Sequence, residues 1–159
     1  MKKLSALIAL ALLAPMAYAQ DGSSCANAIT LVPNDALVVD TSGATGWINT
    51  YGPLVSPSND IVYTFTTGAQ APTGSITPTA SGYSFAVYLL NSCAAGAGPT
   101  PIGSSATLNS AIQLSSLNPT TQYWVAVTGT AAGGPGANGS VTLNVQPTLP
   151  VTLQSFEIN

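Results

Sequence analysis

Beyond its third residue the chain contains no lysine or arginine, and it contains no histidine at all. Whole chemistries are excluded. The commonest general acid or base is missing, as are the lysine nucleophile, the arginine clamp for phosphate and the electropositive surface that nucleic acids or anionic lipids require. Carboxylates are sparse too. Asp21, Asp35, Asp40, Asp60 and Glu157 are the only acids, and charged residues make up 4% of the chain. The expected surface is a neutral, hydrogen-bonding one of Ser, Thr, Asn, Gly and Ala. No apolar run reaches the roughly 20 residues that a membrane-spanning helix needs. Helical periodicity and internal repeats are likewise missing.

What is present begins with a targeting pattern. Lys2 and Lys3, an apolar run over residues 4–14, and the small-residue series Ala17, Tyr18, Ala19 before Gln20 read as a secretory signal peptide cleaved after Ala19. The expected layout is a signal peptide over 1–19, one domain over 20–146, and a tail over 147–159 that forms an extra strand or a linker. Removing residues 1–19 leaves 140 of the 159, enough for one domain with its own core. The product is expected outside the cytoplasm: extracellular, on the cell surface or periplasmic, with no membrane insertion after cleavage.

Two cysteines agree with export, because an oxidising compartment would pair Cys25 with Cys93. In the chain-entropy model, closing a loop of that length contributes about 4 kcal/mol. Two buried free thiols are the competing reading. A catalytic thiol is disfavoured, since no basic side chain is available to depress its pKa.

Period-two alternation marks the strands. Ile61, Tyr63 and Phe65 alternate with Val62, Thr64 and Thr66, and Phe85, Val87 and Leu89 with Ala86 and Tyr88. Tyr123, Val125 and Val127 alternate with Gln122, Trp124 and Ala126, and Val141, Leu143 and Val145 with Thr142 and Asn144. Shorter candidates lie at 29–32, 37–39, 75–77 and 112–114. Gly and Pro punctuate the gaps at 41–46, 52–58, 94–103 and 131–139. The pattern predicts an all-β chain of about eight half-buried antiparallel strands, a β-sandwich closed by one disulfide.

Two chemical motifs fail on their context. Asp40, Thr41, Ser42, Gly43 and Ala44 approximate an aspartic-peptidase signature, but with an extra serine and no second copy to share a proton, so Asp40 is read as opening a turn. Gly134, Gly136 and Gly139 fit GxGxxG letter for letter. There Pro135 interrupts the turn, and a strand follows where a phosphate would need a helix N-terminus. Carboxylate-only catalysis, as in glycoside hydrolysis, is the one enzyme class the inventory permits, with Asp40 and Asp60 as the conceivable pair. Neither sits in a recognisable catalytic context, and no catalytic residue is assigned.

The order of the signals carries a resemblance. Cys25, Asn27, Ala28 and Leu31 open the domain, and Thr41, Gly43, Ala44 and Thr45 follow. SNDIVYTFT at 58–66, SFAVYLLNSC at 84–93 and LNPTTQYWVAVTG at 117–129 complete the series. Over about residues 24–145 it resembles the bacterial pre-peptidase C-terminal domain family, jelly-roll-like β-sandwiches appended to secreted peptidases and surface proteins. Cys93 matches the family's cysteine after its Val- and Tyr-bearing strand, and Tyr63 with Phe65 matches its aromatic pair after an aspartate, here Asp60. The resemblance implies a noncatalytic module. Some relatives bind calcium through clustered N-terminal carboxylates; this chain offers only Asp21 and Asp35 there, with Asp40 and Asp60 farther on, so no metal and no cofactor is expected. A rival reading comes from Leu117, Pro119, Thr121, Tyr123, Val125 and Val127, whose spacing resembles the tyrosine-corner strand of fibronectin type III domains. In either case the Tyr123 hydroxyl is expected to tie back to nearby backbone.

Two roles remain open. An extracellular binding module for a glycan or a protein would use exposed rings, with Trp47, Tyr51 and Trp124 as candidates, although each is also a natural packing residue. A structural subunit of a surface layer or fibre would self-associate, the tail at 149–159 adding a strand to its own or a neighbour's sheet edge. Its Pro147 and Pro150 resemble a linker leading out of the domain. Asn138, Gly139 and Ser140 form a glycosylation sequon, read as coincidence beside a bacterial-looking signal.

Overall fold

A computed structural model describes residues 21–44, 46, 48–51, 54–55, 59–94, 96–98, 100–130 and 137–148. The expected signal peptide, Trp47, Gly134, Gly136 and residues 149–159 of the tail lie outside the described residues. Among the described residues there is no helix. The strands are β1 (Ile29–Thr30), β2 (Asn34–Asp40), β3 (Ile48–Tyr51), β4 (Leu54–Val55), β5 (Asp60–Thr66), β6 (Thr73–Ser81), β7 (Phe85–Leu90), β8 (Gly96–Gly98), β9 (Gly103–Ser105), β10 (Ile112–Gln113), β11 (Gln122–Gly129) and β12 (Ser140–Thr148).

Eight of these strands pair in a nested antiparallel series: β2 with β12, β5 with β11, β6 with β10 and β7 with β9. The chain is thus one long ribbon doubled back at the β7–β9 connection. Lateral pairing of β6 with β12 and of β7 with β11 rolls the ribbon into two sheets, ordered β10-β6-β12-β2 and β1-β5-β11-β7-β9. That is jelly-roll topology, with the first and last long strands adjacent. Immunoglobulin-type sandwiches instead place their first two strands side by side in one sheet, so the fibronectin-like strand order is not the one adopted.

Alternation decides which side chains meet between the sheets. Tyr63 and Phe65 lie opposite Val125 and Tyr123, Val127 lies opposite Val87, and all six face Ile76, Val141, Leu143 and Val145 of the other sheet in one core. Burial of such branched and aromatic side chains is the main favourable contribution, about 1.5–3 kcal/mol for each fully buried one. The outer face of the β10-β6-β12-β2 sheet shows the converse. Thr77, Thr142 and Asn144 are only partly buried there. One face packed and one face wetter is what the alternation predicts.

Three expectations need correction. β7 is not half-buried: all six residues from Phe85 to Leu90 are buried. The reason lies in the segments expected to be loops at 52–58 and 94–103. Parts of them, with residues 48–51, form a separate small sheet, β4-β3-β8, which lays Ile48 and Tyr51 over the outer face of the β1-β5-β11-β7-β9 sheet, against Ala86, Tyr88, Leu90 and Ala126. Nor is the pairing wholly antiparallel, because β1 runs parallel to β5 and β3 parallel to β8. Finally, the expected linker residue Pro147 still belongs to β12, opposite Gly74. Pairing with β2 goes no further than Val145, so one side of β12 is open at Pro147 and a missing N–H is tolerated.

The Cys25–Cys93 disulfide is formed, with a Cα–Cα distance of 5.7 Å across 68 residues of sequence. It ties the segment before β1 to the segment after β7. Cys93 packs against the second core, so the bridge also braces the small sheet. A formed disulfide fits an oxidising compartment.

Candidate functional site

Strands β2, β6 and β11 end, and β5, β7 and β12 begin, at one end of the sandwich, as the pairings Asp40–Ser140, Val141–Ser81, Thr128–Asp60 and Gly129–Phe85 require. A cleft of about 670 Å³ opens at this end, lined among the described residues chiefly by Tyr83, Ser84, Phe85, Thr107, Leu108 and Thr130. Its volume lies within the roughly 300–1,000 Å³ of small-ligand sites. Its described lining contains neither a carboxylate nor a cation.

One wall is the ring of Tyr83, held from several sides. Its hydroxyl lies 3.3 Å from the Thr41 hydroxyl, which also accepts from the Gly139 N–H at 3.2 Å. Its ring meets Phe85 edge-on at 6.5 Å. The Gly139 backbone packs so closely that a β-carbon there would sit 3.2 Å from Tyr83 Cδ1, and the φ of +149° at Gly139 independently favours glycine. Burial, opposed by the Thr41 hydrogen bond and reinforced by the Asp40 charge, keeps the Tyr83 phenol above its ordinary pKa and therefore neutral.

The facing wall, Thr107 and Leu108, is braced by its own backbone. The Thr107 carbonyl accepts from the Ser105 hydroxyl at 3.1 Å and the Ser110 N–H at 3.3 Å, while Asn109 in the left-handed region (φ 62°) donates its N–H to Pro78 at 2.7 Å. Asn adopts that conformation more readily than most residues. Leu108 is left 41% exposed on the rim.

A second cleft of about 480 Å³ brings together Asp21 and Asp40, with Ser23, Gly43, Ala44 and Ile61. These two acids, distant in sequence, converge here. Each closes a local turn: Asp21 accepts from the Ser23 N–H at 2.9 Å and hydroxyl at 2.6 Å, and Asp40 accepts from the Ser42 N–H at 2.9 Å. Those bonds hold both carboxyls below the usual carboxylate range. Asp40 thus opens a turn, as its sequence context implied. Two carboxylates are far short of the six to eight oxygens calcium takes, and no group of three potential metal-ligating side chains occurs among the described residues.

Of the proposed stacking rings, Tyr51 is wholly buried and stacks on Tyr88 at 4.3 Å, so it offers no surface platform. Burial first, and the nearby Asp60 carboxylate second, push its phenol pKa up. Trp124 is half-buried against the second core, with an Nε1 that is buried and makes no hydrogen bond among the described residues. Asp60 is completely buried, its Oδ2 accepting the Ile48 N–H at 2.9 Å. It therefore pins the small sheet to the sandwich, and it does not line the cleft that holds Asp40. Tyr123 behaves as expected: its hydroxyl accepts the Asn118 N–H at 2.9 Å at the far end of the molecule.

Sequence reasoning missed Tyr83 because it lies between two strand signals, in a Ser-Gly-Tyr-Ser turn that reads as a connection. A lone aromatic in a turn was the available clue. No protein-family model, curated protein or solved structure matches the chain.

Proposed function

We propose that the protein is an exported, noncatalytic β-sandwich module that binds an extracellular ligand, a glycan or a protein, or supports a cell-surface protein. The observation that carries this reading is the braced cleft at the loop end, which offers rings and hydroxyls but no ionisable pair for acid–base or nucleophilic chemistry. The strand directions add to it. β12 runs away from the cleft and reaches the opposite end of the sandwich at Thr148. The resemblance to pre-peptidase C-terminal modules points the same way. The test is a thermal-shift screen of the purified protein against neutral and acidic polysaccharides and extracellular proteins, with product analysis alongside. A raised Tm without turnover is expected. Turnover lost in Asp40→Asn or Asp60→Asn would replace the reading with a hydrolase, and no shift with any partner would remove the binding role.

A second reading, a surface-layer or fibre subunit assembling by strand addition, is favoured by β2. It is a seven-residue strand at the edge of its sheet with Val38 61% exposed, the kind of edge that accepts another strand. Its occupant would be the tail, residues 149–159, of a second copy. Polymers visible by electron microscopy that vanish in Val38→Lys would support it; a monomer at all concentrations would end it.

A further inference from the structure

The geometry points to the Tyr83–Leu108 cleft as a binding site for an uncharged saccharide, an inference that rests on the binding-module reading above. No ligand class other than a neutral one suits its chemistry. An anion would need a cation, and the chain has only Lys2 and Lys3. A metal ion would need carboxylates, which the described lining lacks. A purely apolar ligand would leave without a partner any hydroxyl of Ser84, Thr107 or Thr130 that it covered, because these make no hydrogen bond within the described protein. An extended peptide is recognised mainly through backbone bonds along a sheet edge, whereas this cleft sits across strand ends.

A sugar ring matches what is left. Its C–H face suits the Tyr83 ring and the exposed Leu108 side chain. Its hydroxyls both donate and accept, as do those of Ser84, Thr107 and Thr130. The two walls are fixed before anything binds, Tyr83 by Thr41, Phe85 and Gly139 and the Thr107 loop by Ser105, Ser110 and Pro78. Little ordering entropy is then lost on binding, which is how a small neutral site gains useful affinity. Tyr51 and Trp124, two of the rings that sequence alone suggested, do not line it.

The experiment is isothermal titration of the full protein with neutral gluco-, manno-, galacto- and xylo-oligosaccharides. Oligogalacturonate and a peptide library serve as the charged and peptidic comparators. Saturable binding to at least one neutral series is expected. Tyr83→Ala should weaken it by about tenfold or more, while Tyr83→Phe, which keeps the ring, should stay within a few-fold of the parent. Since Tyr83 also packs, Leu108→Asp on the exposed rim is the parallel variant; it should lose binding with its thermal melt unchanged. Binding to a neutral sugar that survives both Tyr83→Ala and Leu108→Asp would overturn the site. Binding to oligogalacturonate or peptides alone would overturn the ligand class while sparing the module reading. No binding to any of them, joined to a blank thermal-shift screen, would sink both.

Discussion

At the scale of single residues, the molecule fixes backbone at several points with hydroxyls and amides where other proteins use charge. Thr41, completely buried, joins β2 to Gly139 at one end, and Thr67 bonds Asn118 and Thr121 beside the Tyr123 hydroxyl at the other. Between Asn118 and Thr121 sits a strained position. Thr120 has φ 50°, a left-handed conformation that costs a β-branched residue about 1–2 kcal/mol. Its side chain is exposed and its N–H donates to Gly68, so the backbone is held while the side chain contributes little. Thr120→Asn should therefore stabilise the protein by up to about 1 kcal/mol, a rise of a few degrees in Tm. A thermal melt of that variant with an unchanged or lower Tm would show that Thr120 makes a compensating contact.

The element that matters most is the small sheet β4-β3-β8, because it turns an ordinary two-layer sandwich into a locally three-layer one. Its attachment is specific: the Asp60–Ile48 hydrogen bond, the Tyr51–Tyr88 stack, and packing against Cys93 of the disulfide. Removing the carboxylate leaves the buried Ile48 N–H without that partner, a loss of about 1–3 kcal/mol. In Asp60→Ala, amide exchange at residues 48–51 should speed up well beyond that of β11, with the main core still protected. Uniform acceleration throughout the protein would mean instead that the small sheet and the sandwich unfold as one unit.

Across the whole molecule, the shortage of charge makes stability insensitive to conditions over a wide range. No described residue is basic, so no ion pair forms among them and added salt has little to screen. The groups that the fold shifts act at the extremes. Asp21 and Asp40 have folded pKa values below the ordinary 3.8, so their contribution is present above that value and is lost as pH falls through the folded ones. Both are exposed, and the effect is small. Tyr51, Tyr63, Tyr83 and Tyr88 have raised values, so their contribution is complete below the ordinary 10.0 and disappears as pH climbs beyond it. None of these six groups is displaced into the neutral range, so Tm should vary little from about pH 5 to pH 9, then fall in step with tyrosinate absorbance. A marked slope near neutral pH would contradict this.

The sequence by itself determined the class of fold, the inward-facing rows of the long strands and the disulfide. Period-two alternation survives any sheet arrangement, and the two cysteines of the chain have only each other to meet. The long strands were legible in DIVYTFT and QYWVAV because one face of each is apolar enough to require burial. FAVYLL was read as alternating although every residue in it is apolar, itself a mark of burial on both faces, and the cover that buries its second face comes from Ile48 and Tyr51, some forty residues earlier. Only the tertiary structure decided that cover, because β3 and β8 are short, Gly-rich or polar, and form strands by pairing with each other. It also decided the site. Tyr83, the Thr107–Leu108 pair and Thr130 lie in three separate connections, and what brings them to one cleft is the rolling of the ribbon, a long-range pairing that local pattern does not encode.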